Sequence, residues 1–451
     1  MSSLPGKAPA RHPQKPPASS PNDPRYFDAK DLEGELRRVF QICHECRMCV
    51  GFCGAFPALF DAVDRDIESG RAEGAEALTR DDFERVGDLC WQCKLCHVKC
   101  PYTEDEGASE LVDFPRLMLR EKANRARRDG IALVDRVLGE PRALGALSHP
   151  AAAMVNLIGT HRLVRKVAEK LTGVSADFPL PEIAREPFSS WMKKRKPAEA
   201  RAGEVVLFAT CYGEFNVPSV ARAAVAVLEH QGYRVIHPEQ TCCGMPNLDG
   251  GDVESARAKI RENVAALLPH VREARTIVAL GPTCGFTITK EWPLYLERDE
   301  VREVAAATMD VMQFLDGLRR AKKLERDFQR GFGKVAYHAS CHLRAQKIAY
   351  PAMRLLKLLP DTEVRTIEAC SAVDGTWGMK AAHYEMGRAY AQSLVEGVEN
   401  VVPDLVVSDC SLAGLRIWQE NRRAVLHPIE VLAQAYGIEP SGTHTAPRKE
   451  P

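Results

Sequence analysis

The hydrophobic pattern changes character near residue 200. Before that point, apolar residues recur at helical spacing, as in DLEGELRRVFQI (31–42) and FPRLMLREKANRARRDG (114–130). After it, short apolar runs such as EVVLFAT (204–210) alternate with helical stretches such as VPSVARAAVAVLEHQG (217–232). Strands that alternate with helices in this way are typical of βαβ units and parallel sheets. We therefore predict a helical amino-terminal half and an α/β carboxy-terminal half.

The order of segments in the α/β half occurs twice. The first copy has the predicted strands EVVLFAT, YRVIHPE (233–239) and TIVALG (276–281). KVAYHAS, TEVRTIE and DLVVSD, which begin at Lys334, Thr362 and Asp404, take the same places in the second copy. The sequence thus predicts an internal duplication with one parallel sheet in each copy.

Composition and charge narrow the function classes. The 451 residues include 61 Lys+Arg and 61 Asp+Glu, so no basic excess indicates binding to nucleic acid. No apolar run approaches the roughly 20 residues that span a bilayer, and the amino terminus lacks a signal-peptide core. We expect a cytoplasmic protein, with at most peripheral association with the inner face of the membrane. Thiols stay reduced there, so the 15 cysteines indicate metal or redox chemistry.

Eight cysteines lie in two short runs with identical C-x2-C-x2-C-x3-C spacing, CHECRMCVGFC and CWQCKLCHVKCP. This is the bacterial iron–sulfur run, in which the fourth cysteine serves the other cluster because it lies too far along the chain to bind its own. Zinc sites more often show separated C-x2-C pairs. Gly54 stands where the second run has Pro101, which weakens the first motif slightly. We predict two 4Fe–4S clusters, one bound by Cys43, Cys46, Cys49 and Cys100, and the other by Cys53, Cys90, Cys93 and Cys96.

The other seven cysteines mark the duplication. The steps between successive positions are 31 and 42 residues in the first copy (211 to 242 to 284) and 29 and 40 in the second (341 to 370 to 410). Each position follows a predicted strand, and the carboxyl ends of parallel strands meet at the edge where such sheets place ligands. A core role for six equivalent positions, one of them a vicinal pair, is improbable. We predict metal-binding cysteines at Cys211, Cys242, Cys243 and Cys284 in the first copy and at Cys341, Cys370 and Cys410 in the second.

The two cluster runs followed by two cysteine-rich repeats resemble the cysteine-rich (CCG) domain iron–sulfur proteins. This family includes heterodisulfide reductase, a subunit of anaerobic glycerol-3-phosphate dehydrogenase, and a heterodisulfide reductase-related protein associated with rubrerythrin. The resemblance covers residues 31–439 and is carried in the second repeat by HASCH, DGTWGMK, DLVVSDC and HPIEVLAQAYG. It implies a multidomain α+β fold, in which a helical two-cluster ferredoxin-like domain precedes two duplicated βαβ domains.

The resemblance also implies a site in each repeat. A complete repeat of the family offers a lone cysteine, a CCG pair and a final C-x2-C, which can hold an unusual cluster that cleaves a disulfide. Here Thr287 replaces one cysteine of the first repeat, and Ser371 and Ala413 replace two of the second. Four thiolates suit an additional iron–sulfur cluster in the first repeat. Three thiolates suit zinc or a labile cluster in the second, with His338 or His342 as a further ligand.

These features predict an iron–sulfur electron-transfer protein that is a component of an oxidoreductase complex. The alternative is one component of a thiol/disulfide reductase, of heterodisulfide type, with chemistry at the CCG-like site. The lost cysteines favour the electron carrier, and no catalytic residue is assigned. The expected partner is a redox protein: a flavoprotein dehydrogenase, a rubrerythrin-type protein or a quinone-linked enzyme.

The predicted domain boundaries follow from these patterns. A helical connector contains AAAMVNLIGTHRLVRKVAEKLTG (151–173), whose apolar face could meet a membrane or a partner. We expect it instead to pack on its own protein, because that face is short. The predicted parts are a disordered segment 1–30, the ferredoxin-like domain 31–128, the connector 129–200, cysteine-rich domains 201–325 and 326–440, and a tail 441–451.

Overall fold

The computed structural model describes residues 11–13 and 15–438. The predicted tail 441–451 and the first ten residues of the predicted disordered segment lie outside the described residues. The chain divides into two compact units. The first unit comprises the chain up to Asp135 together with Asn247–Glu254, and the second comprises Arg136–Pro246 and the chain from Ser255 onward.

The first unit is helical, as the pattern before residue 130 predicts. Stacked aromatic rings form its centre: the ring of Phe114 lies 5.8 Å from that of Phe40 and 4.7 Å from that of Phe56. All three side chains are buried, so the helices that carry them pack around one small core. The helices are α1 (Ala29–Cys46), α2 (Ala55–Glu68), α3 (Arg80–Leu89), α4 (Leu95–Lys99) and α5 (Phe114–Asp129).

The segment before α1 packs on this unit. The side chain of Tyr26 is buried, and its carbonyl oxygen accepts hydrogen bonds from Arg120 Nε at 2.9 Å and Asn124 Nδ2 at 2.8 Å, both on α5. Ala18 is also buried. The prediction of a disordered segment is therefore wrong for residues 15–28. Its proline- and serine-rich composition does not reveal that backbone carbonyls satisfy polar groups of α5.

The connector is helical, as predicted, but its longest helix does not bury its apolar face. Leu163, Val167 and Leu171 of α9 are 69%, 58% and 66% exposed. Arg165 is the buried residue of this helix, and its guanidinium donates to the carbonyls of Ser175 and Phe178 at 2.6 and 2.7 Å. The expectation that this face packs on the protein itself is wrong. The connector helices are α6 (Leu133–Leu138), α7 (Pro141–Ser148), α8 (Ala152–Gly159), α9 (Arg162–Thr172) and α10 (Phe188–Lys194).

Each repeat folds around a four-stranded, fully parallel sheet, which confirms the predicted fold class. The first sheet has the order β2-β1-β3-β4 and the second the equivalent order β6-β5-β7-β8. The fourth strands were not predicted, because strands of three and two residues carry no readable pattern. The strands are β1 (Gly203–Phe208), β2 (Tyr233–Ile236), β3 (Thr276–Ala279), β4 (Thr308–Asp310), β5 (Gly333–His338), β6 (Thr362–Ile367), β7 (Leu405–Ser408) and β8 (Val425–Leu426).

The strand order places a switch point in each sheet. The chain runs from β1 to β2 on one side and then to β3 on the other, and the second copy does the same from β5 to β6 and β7. In open α/β sheets, ligands bind outside the carboxyl ends of the strands that flank this point. The sequence places cysteines just beyond those ends in both repeats.

Helices of the two repeats share one hydrophobic core within the second unit. Leu207 and Val225 of the first repeat belong to the same buried cluster as Tyr337, Leu355 and Leu432 of the second. The helices are α11 (Thr210–Phe215), α12 (Pro218–His230), α13 (Met245–Asp249), α14 (Val253–Arg272), α15 (Pro282–Phe286), α16 (Trp292–Tyr295), α17 (Asp299–Ala306), α18 (Val311–Arg320), α19 (Cys341–Ala345), α20 (Pro351–Leu356), α21 (Tyr384–Val401), α22 (Ser411–Asn421) and α23 (Pro428–Ala435). The two repeats therefore share one core and pack together as a single body.

No helix in the described part of the chain combines the length and hydrophobicity that crossing a bilayer requires.

Candidate metal centres

The structure brings the eight amino-terminal cysteines together in the two crossed sets that the spacing predicts. One cavity is lined by the first three cysteines of the first run and the last of the second: Cys43, Cys46, Cys49 and Cys100. Another is lined by Cys53, Cys90, Cys93 and Cys96. We call these the outer and the inner cysteine set. Each cavity thus offers four sulfurs, the ligand number of a 4Fe–4S cluster.

Left-handed residues between the cysteines produce this convergence. Arg47 (φ 52°) ends α1, and its amide donates to the carbonyl of Cys43 at 2.8 Å. Lys94 (φ 63°) occupies the equivalent position of the second run, and Gln92 (φ 58°) lies in the gap before it. A residue other than glycine with positive φ is uncommon, and this conformation reverses the local direction of the chain. Three closely spaced sulfurs can therefore face one centre.

Burial makes these thiols poor acids on their own. Desolvation, reinforced by the nearby sulfurs of Cys100 and Cys46, raises the pKa of Cys49 to about 12. Burial likewise raises the pKa of Cys43 and of Cys96 well above the usual value. Four adjacent thiolates are stable at such a place only when a positively charged metal centre neutralises them. The donor set therefore fits an iron–sulfur cluster in each cavity.

Buried cations surround the inner set, a feature that the sequence did not reveal. Lys94 and Lys122 are both buried, and both lower the pKa of Cys90 against the raising effect of burial. Gln92 connects Lys94 to the sulfur: its Nε2 donates to Cys90 Sγ at 3.4 Å, and its Oε1 accepts from Lys94 Nζ at 2.9 Å. Lys122 Nζ also forms an ion pair with Asp249 at 2.6 Å. Charges and hydrogen bonds of this kind set the potential of a bound cluster.

The first repeat assembles its four predicted cysteines. Hydrogen bonds connect the sulfurs in a chain from Cys211 to Cys242, Cys243 and Cys284. The pKa of Cys242 lies well below the usual value because Cys211 and Cys243 donate to its sulfur, whereas the same contacts raise the pKa of those two thiols. Thr287, which replaces the missing family cysteine, donates its hydroxyl to the carbonyl of Thr283 at 2.7 Å.

Buried polar side chains hold the vicinal pair of the first repeat in place. Asn263 donates to the carbonyl of Cys242 at 2.9 Å and accepts from the amide of Thr241 at the same distance. The indole of Trp292 donates to the carbonyl of Cys243 at 2.8 Å. Gly244 adopts φ 90°, which allows the chain to turn back immediately after the pair. The CCG motif is therefore a turn whose carbonyls are fixed from two sides.

The second repeat also brings its three predicted cysteines together. The sulfurs of Cys370 and Cys410 both act on the pKa of Cys341, which burial raises well above the usual value. Backbone amides point at the sulfurs: Ala372 N lies 3.2 Å from Cys370 Sγ, and two amides donate to Cys410. Such hydrogen bonds favour thiolates. The second repeat therefore suits a cation, and it offers three sulfur ligands where the first repeat offers four.

The two candidate histidines differ in what surrounds them. His338 uses both ring nitrogens, one 2.9 Å from Ser408 Oγ and the other 3.2 Å from the carbonyl of Ala369. His342 lies beside Cys341 and a carboxylate that the sequence did not single out, Asp374. His342 is therefore the better placed of the two as a metal ligand.

The sites of the two repeats adjoin within the second unit. Thr283, next to Cys284, lies 2.9 Å from Nδ1 of His342 through its hydroxyl. The His342 ring stacks on Phe286, and the centroids are 5.2 Å apart. Tyr212, next to Cys211, provides a second link to the other repeat. Burial and the sulfur of Cys410 raise the pKa of the Tyr212 hydroxyl. The two sites can therefore influence each other electrostatically.

Comparison with known protein families agrees with this arrangement. A cysteine-rich domain model matches residues 205–289 and 335–416, the two repeats. The Fer4-like domain model of citrate utilization protein B matches residues 36–127, which contain both cysteine runs. The chain is a protein with two cysteine-rich (CCG) domains. Its amino-terminal domain is Fer4-like.

Similar curated proteins point the same way. A subunit of anaerobic glycerol-3-phosphate dehydrogenase from Escherichia coli (strain K12) is 26% identical over 306 residues, which are 66% of this chain and 76% of the relative. An uncharacterized iron-sulfur protein of Methanocaldococcus jannaschii is 27% identical over 89% of this chain and 70% of its own length. One subunit of fumarate reductase (CoM/CoB) from Methanothermobacter marburgensis is 25% identical over 50% of this chain and 44% of its own length. Two of these relatives are subunits of oxidoreductases, which supports a role in electron transfer.

The crossed sets make a directional prediction for Cys53→Ser. Because Cys53 lines the inner cavity and not the cavity of its own run, the variant should disturb the cluster held by Cys90, Cys93 and Cys96. Electron paramagnetic resonance of the reduced, anaerobically purified chain should show one altered signal and one normal signal. Cys100→Ser is the matched control and should alter the other signal. Damage by each variant to the cluster of its own run would contradict the crossing.

Lys94→Met tests the role of the buried cations. Removal of one positive charge should make the midpoint potential of the inner cluster more negative. An interaction of about 1.4 kcal/mol corresponds to about 59 mV for a one-electron couple, so a shift of that order is expected in a redox titration. Lys30→Met removes the same charge at an exposed position and should leave the potential unchanged. Equal shifts in both variants would show that Lys94 acts only through net charge.

Proposed function

We propose that this protein is an electron-transfer component of an oxidoreductase complex. Two 4Fe–4S clusters occupy the outer and inner cysteine sets, and a further iron–sulfur cluster occupies the first repeat. The observation that carries this proposal is the meeting of four cysteines in each of the two cavities, one sulfur in each coming from the other run. A purely structural site would need no such pair of adjoining four-sulfur cavities.

The outer set is the point at which electrons are exchanged with a partner. All four inner cysteines are buried, whereas those of the outer set are partly exposed. Beside the outer set, Met48 and Val50 are 62% and 53% exposed, in a loop that a partner protein can cover. Exposed apolar residues at a redox centre suit a transient protein contact. The partner is a redox protein, such as the flavoprotein dehydrogenase of a complex, a rubrerythrin-type protein or a quinone-linked enzyme.

The first repeat is the stronger redox centre of the second unit. It supplies four thiols, whereas the second repeat supplies three and holds a labile metal centre at Cys341, Cys370 and Cys410. The hydrogen bond between Thr283 and His342 gives electrons a short route between the two centres. Disulfide cleavage by paired unusual clusters is less well supported, because Thr287 donates its hydroxyl to a backbone carbonyl and Ala413 offers no ligand atom.

The proposal is tested by Cys243→Ser in the full chain. This variant removes one of four adjoining thiols, so it should lose iron, sulfide and one spectroscopic signal beyond those of the two amino-terminal clusters. Cys370→Ser is the matched control and should keep that signal. The measurement is iron and sulfide analysis with electron paramagnetic resonance under anaerobic conditions. If Cys243→Ser keeps all metal and every signal, the first repeat is not a cluster site.

We further propose that α9 attaches the protein peripherally to an anionic membrane surface. Its exposed apolar residues, Leu163, Val167 and Leu171, accompany exposed basic residues on the same helix, Lys166 and Lys170. Apolar and basic side chains together match a surface of acidic lipid headgroups over acyl chains.

Leu171→Glu should weaken this attachment. Loss of a buried leucine contact costs about 1.5–3 kcal/mol, so binding to phosphatidylglycerol-containing vesicles should fall by roughly a factor of 10 or more in co-sedimentation. Val402→Glu, at a residue 70% exposed elsewhere on the second unit, is the matched control and should bind normally. The proposal is wrong if the unaltered protein fails to bind such vesicles at low salt. Retention in native membranes after alkaline carbonate washing would show integral and not peripheral attachment.

A further inference from the structure

Three unlike donors meet in the second repeat. Among the described residues, Cys341, His342 and Asp374 each offer a ligand atom, and these atoms all lie within 4.8 Å of one another. Two ligands of a tetrahedral ion, each bound at about 2.0–2.3 Å, lie roughly 3.3–3.8 Å apart, so the three side chains would close in by about 1 Å or less on binding an ion. The group therefore has the dimensions of a site for one ion.

The turn that carries Asp374 has an unusual backbone. Ala372 (φ 47°), Asp374 (φ 34°) and Gly375 (φ 60°) all lie in the left-handed region. Two of these residues are not glycine, and a positive φ is uncommon for residues other than glycine. The Asp374 side chain is only 8% exposed. The carboxylate is therefore held at the site with little contact with solvent.

His342 is oriented as a ligating imidazole would be. Its side chain is 2% exposed, and Phe286 packs on its face. Thr283 Oγ1 lies 2.9 Å from Nδ1, and Asp374 Oδ1 lies 4.0 Å from the same nitrogen. In a metal site such a hydrogen bond usually fixes the ring nitrogen that does not bind the ion, so with the Thr283 contact in place Nε2 of His342 would be the ligand.

We propose that Cys341, His342 and Asp374 bind one divalent transition-metal ion, zinc by preference, and leave a fourth coordination position open. One sulfur, one imidazole and one carboxylate are all ligands that zinc accepts, and three protein ligands with an open position are typical of its reactive sites. In this chain the carboxylate and the imidazole take the place of the thiolates lost at Ser371 and Ala413. The open position would accept water or an exogenous thiolate.

This inference rests on the proposed function only in that the second repeat is a metal centre. It differs in the ligands: Cys370 and Cys410 lie near the ion but do not form its primary set. Their sulfurs are held by backbone amides.

Zinc K-edge X-ray absorption of the full chain tests the ligand set directly, because iron in the other centres does not contribute at that edge. One equivalent of Zn²⁺ is added anaerobically to the purified protein. We expect one sulfur ligand near 2.3 Å and the remaining ligands to be nitrogen or oxygen near 2.0–2.1 Å. Three sulfur ligands, or no stoichiometric zinc, would overturn the inference.

Variants separate a ligand from a structural residue. Asp374→Asn should weaken zinc binding by about 10-fold or more, and Asp374→His should restore it with an added nitrogen ligand. Asp299→Asn, at a side chain 92% exposed, is the matched control and should bind zinc normally. Normal zinc binding by Asp374→Asn would overturn the inference.

The same experiment distinguishes this inference from the proposed function. Asp374→Asn should keep its iron, sulfide and paramagnetic signals, since the amino-terminal sets and the first repeat do not include Asp374. If Cys370→Ser and Cys410→Ser abolish zinc binding while Asp374→Asn does not, the three-thiolate centre of the proposed function stands and the ligand set inferred here is wrong. If zinc is bound as inferred but Cys243→Ser loses no signal, the metal site stands and the additional cluster does not.

Discussion

The structure depends on one electrostatic constraint: thiols buried close together cannot all ionise without a nearby positive charge. Burial raises the pKa of Cys43, Cys96 and Cys341 well above the usual value. For each of these three thiols the neighbouring sulfurs contribute to the shift. A polypeptide gains nothing from such an arrangement by itself, because it forfeits hydration of polar groups without forming strong hydrogen bonds. The constraint is met when cations enter the cavities, which couples metal binding to the stability of both units.

The backbone satisfies the same constraint from the outside. Left-handed residues accompany the cysteines at each site, among them Arg47, Lys94, Thr210, Gly244 and Ala372. Each turns the chain close to a cysteine, and at Gly244 and Ala372 the backbone amide also points toward a cysteine sulfur. In the inner set, buried Lys94 and Lys122 add positive charge close to the sulfur of Cys90. Turn geometry and buried cations thus serve the same end, the stabilisation of thiolate charge.

Much of this could be predicted from the sequence, because the covalent geometry of the chain limits which closely spaced cysteines can bind one metal centre. The C-x2-C-x2-C-x3-C runs fixed which sulfurs can reach a common centre, and the crossing of Cys53 and Cys100 followed from chain length alone. The doubled strand pattern likewise predicted two parallel sheets. The short strands β4 and β8, the packing of Tyr26 on α5 and the exposure of the apolar face of α9 were missed. These depend on tertiary contacts, such as the carbonyl of Tyr26 accepting from Arg120, which have no local signature.

The two repeats show how a duplicated scaffold can keep its geometry and change its chemistry. Their sheets have equivalent strand orders, and their cysteines follow equivalent strands. Yet the first repeat holds the carbonyls of a vicinal cysteine pair with Asn263 and Trp292, whereas the second turns through Asp374 at the corresponding edge. A carboxylate in place of thiolates makes the site harder and less able to delocalise electrons. The contact between Thr283 and His342 therefore joins a sulfur-rich centre suited to moving electrons with a mixed-donor centre suited to binding a ligand.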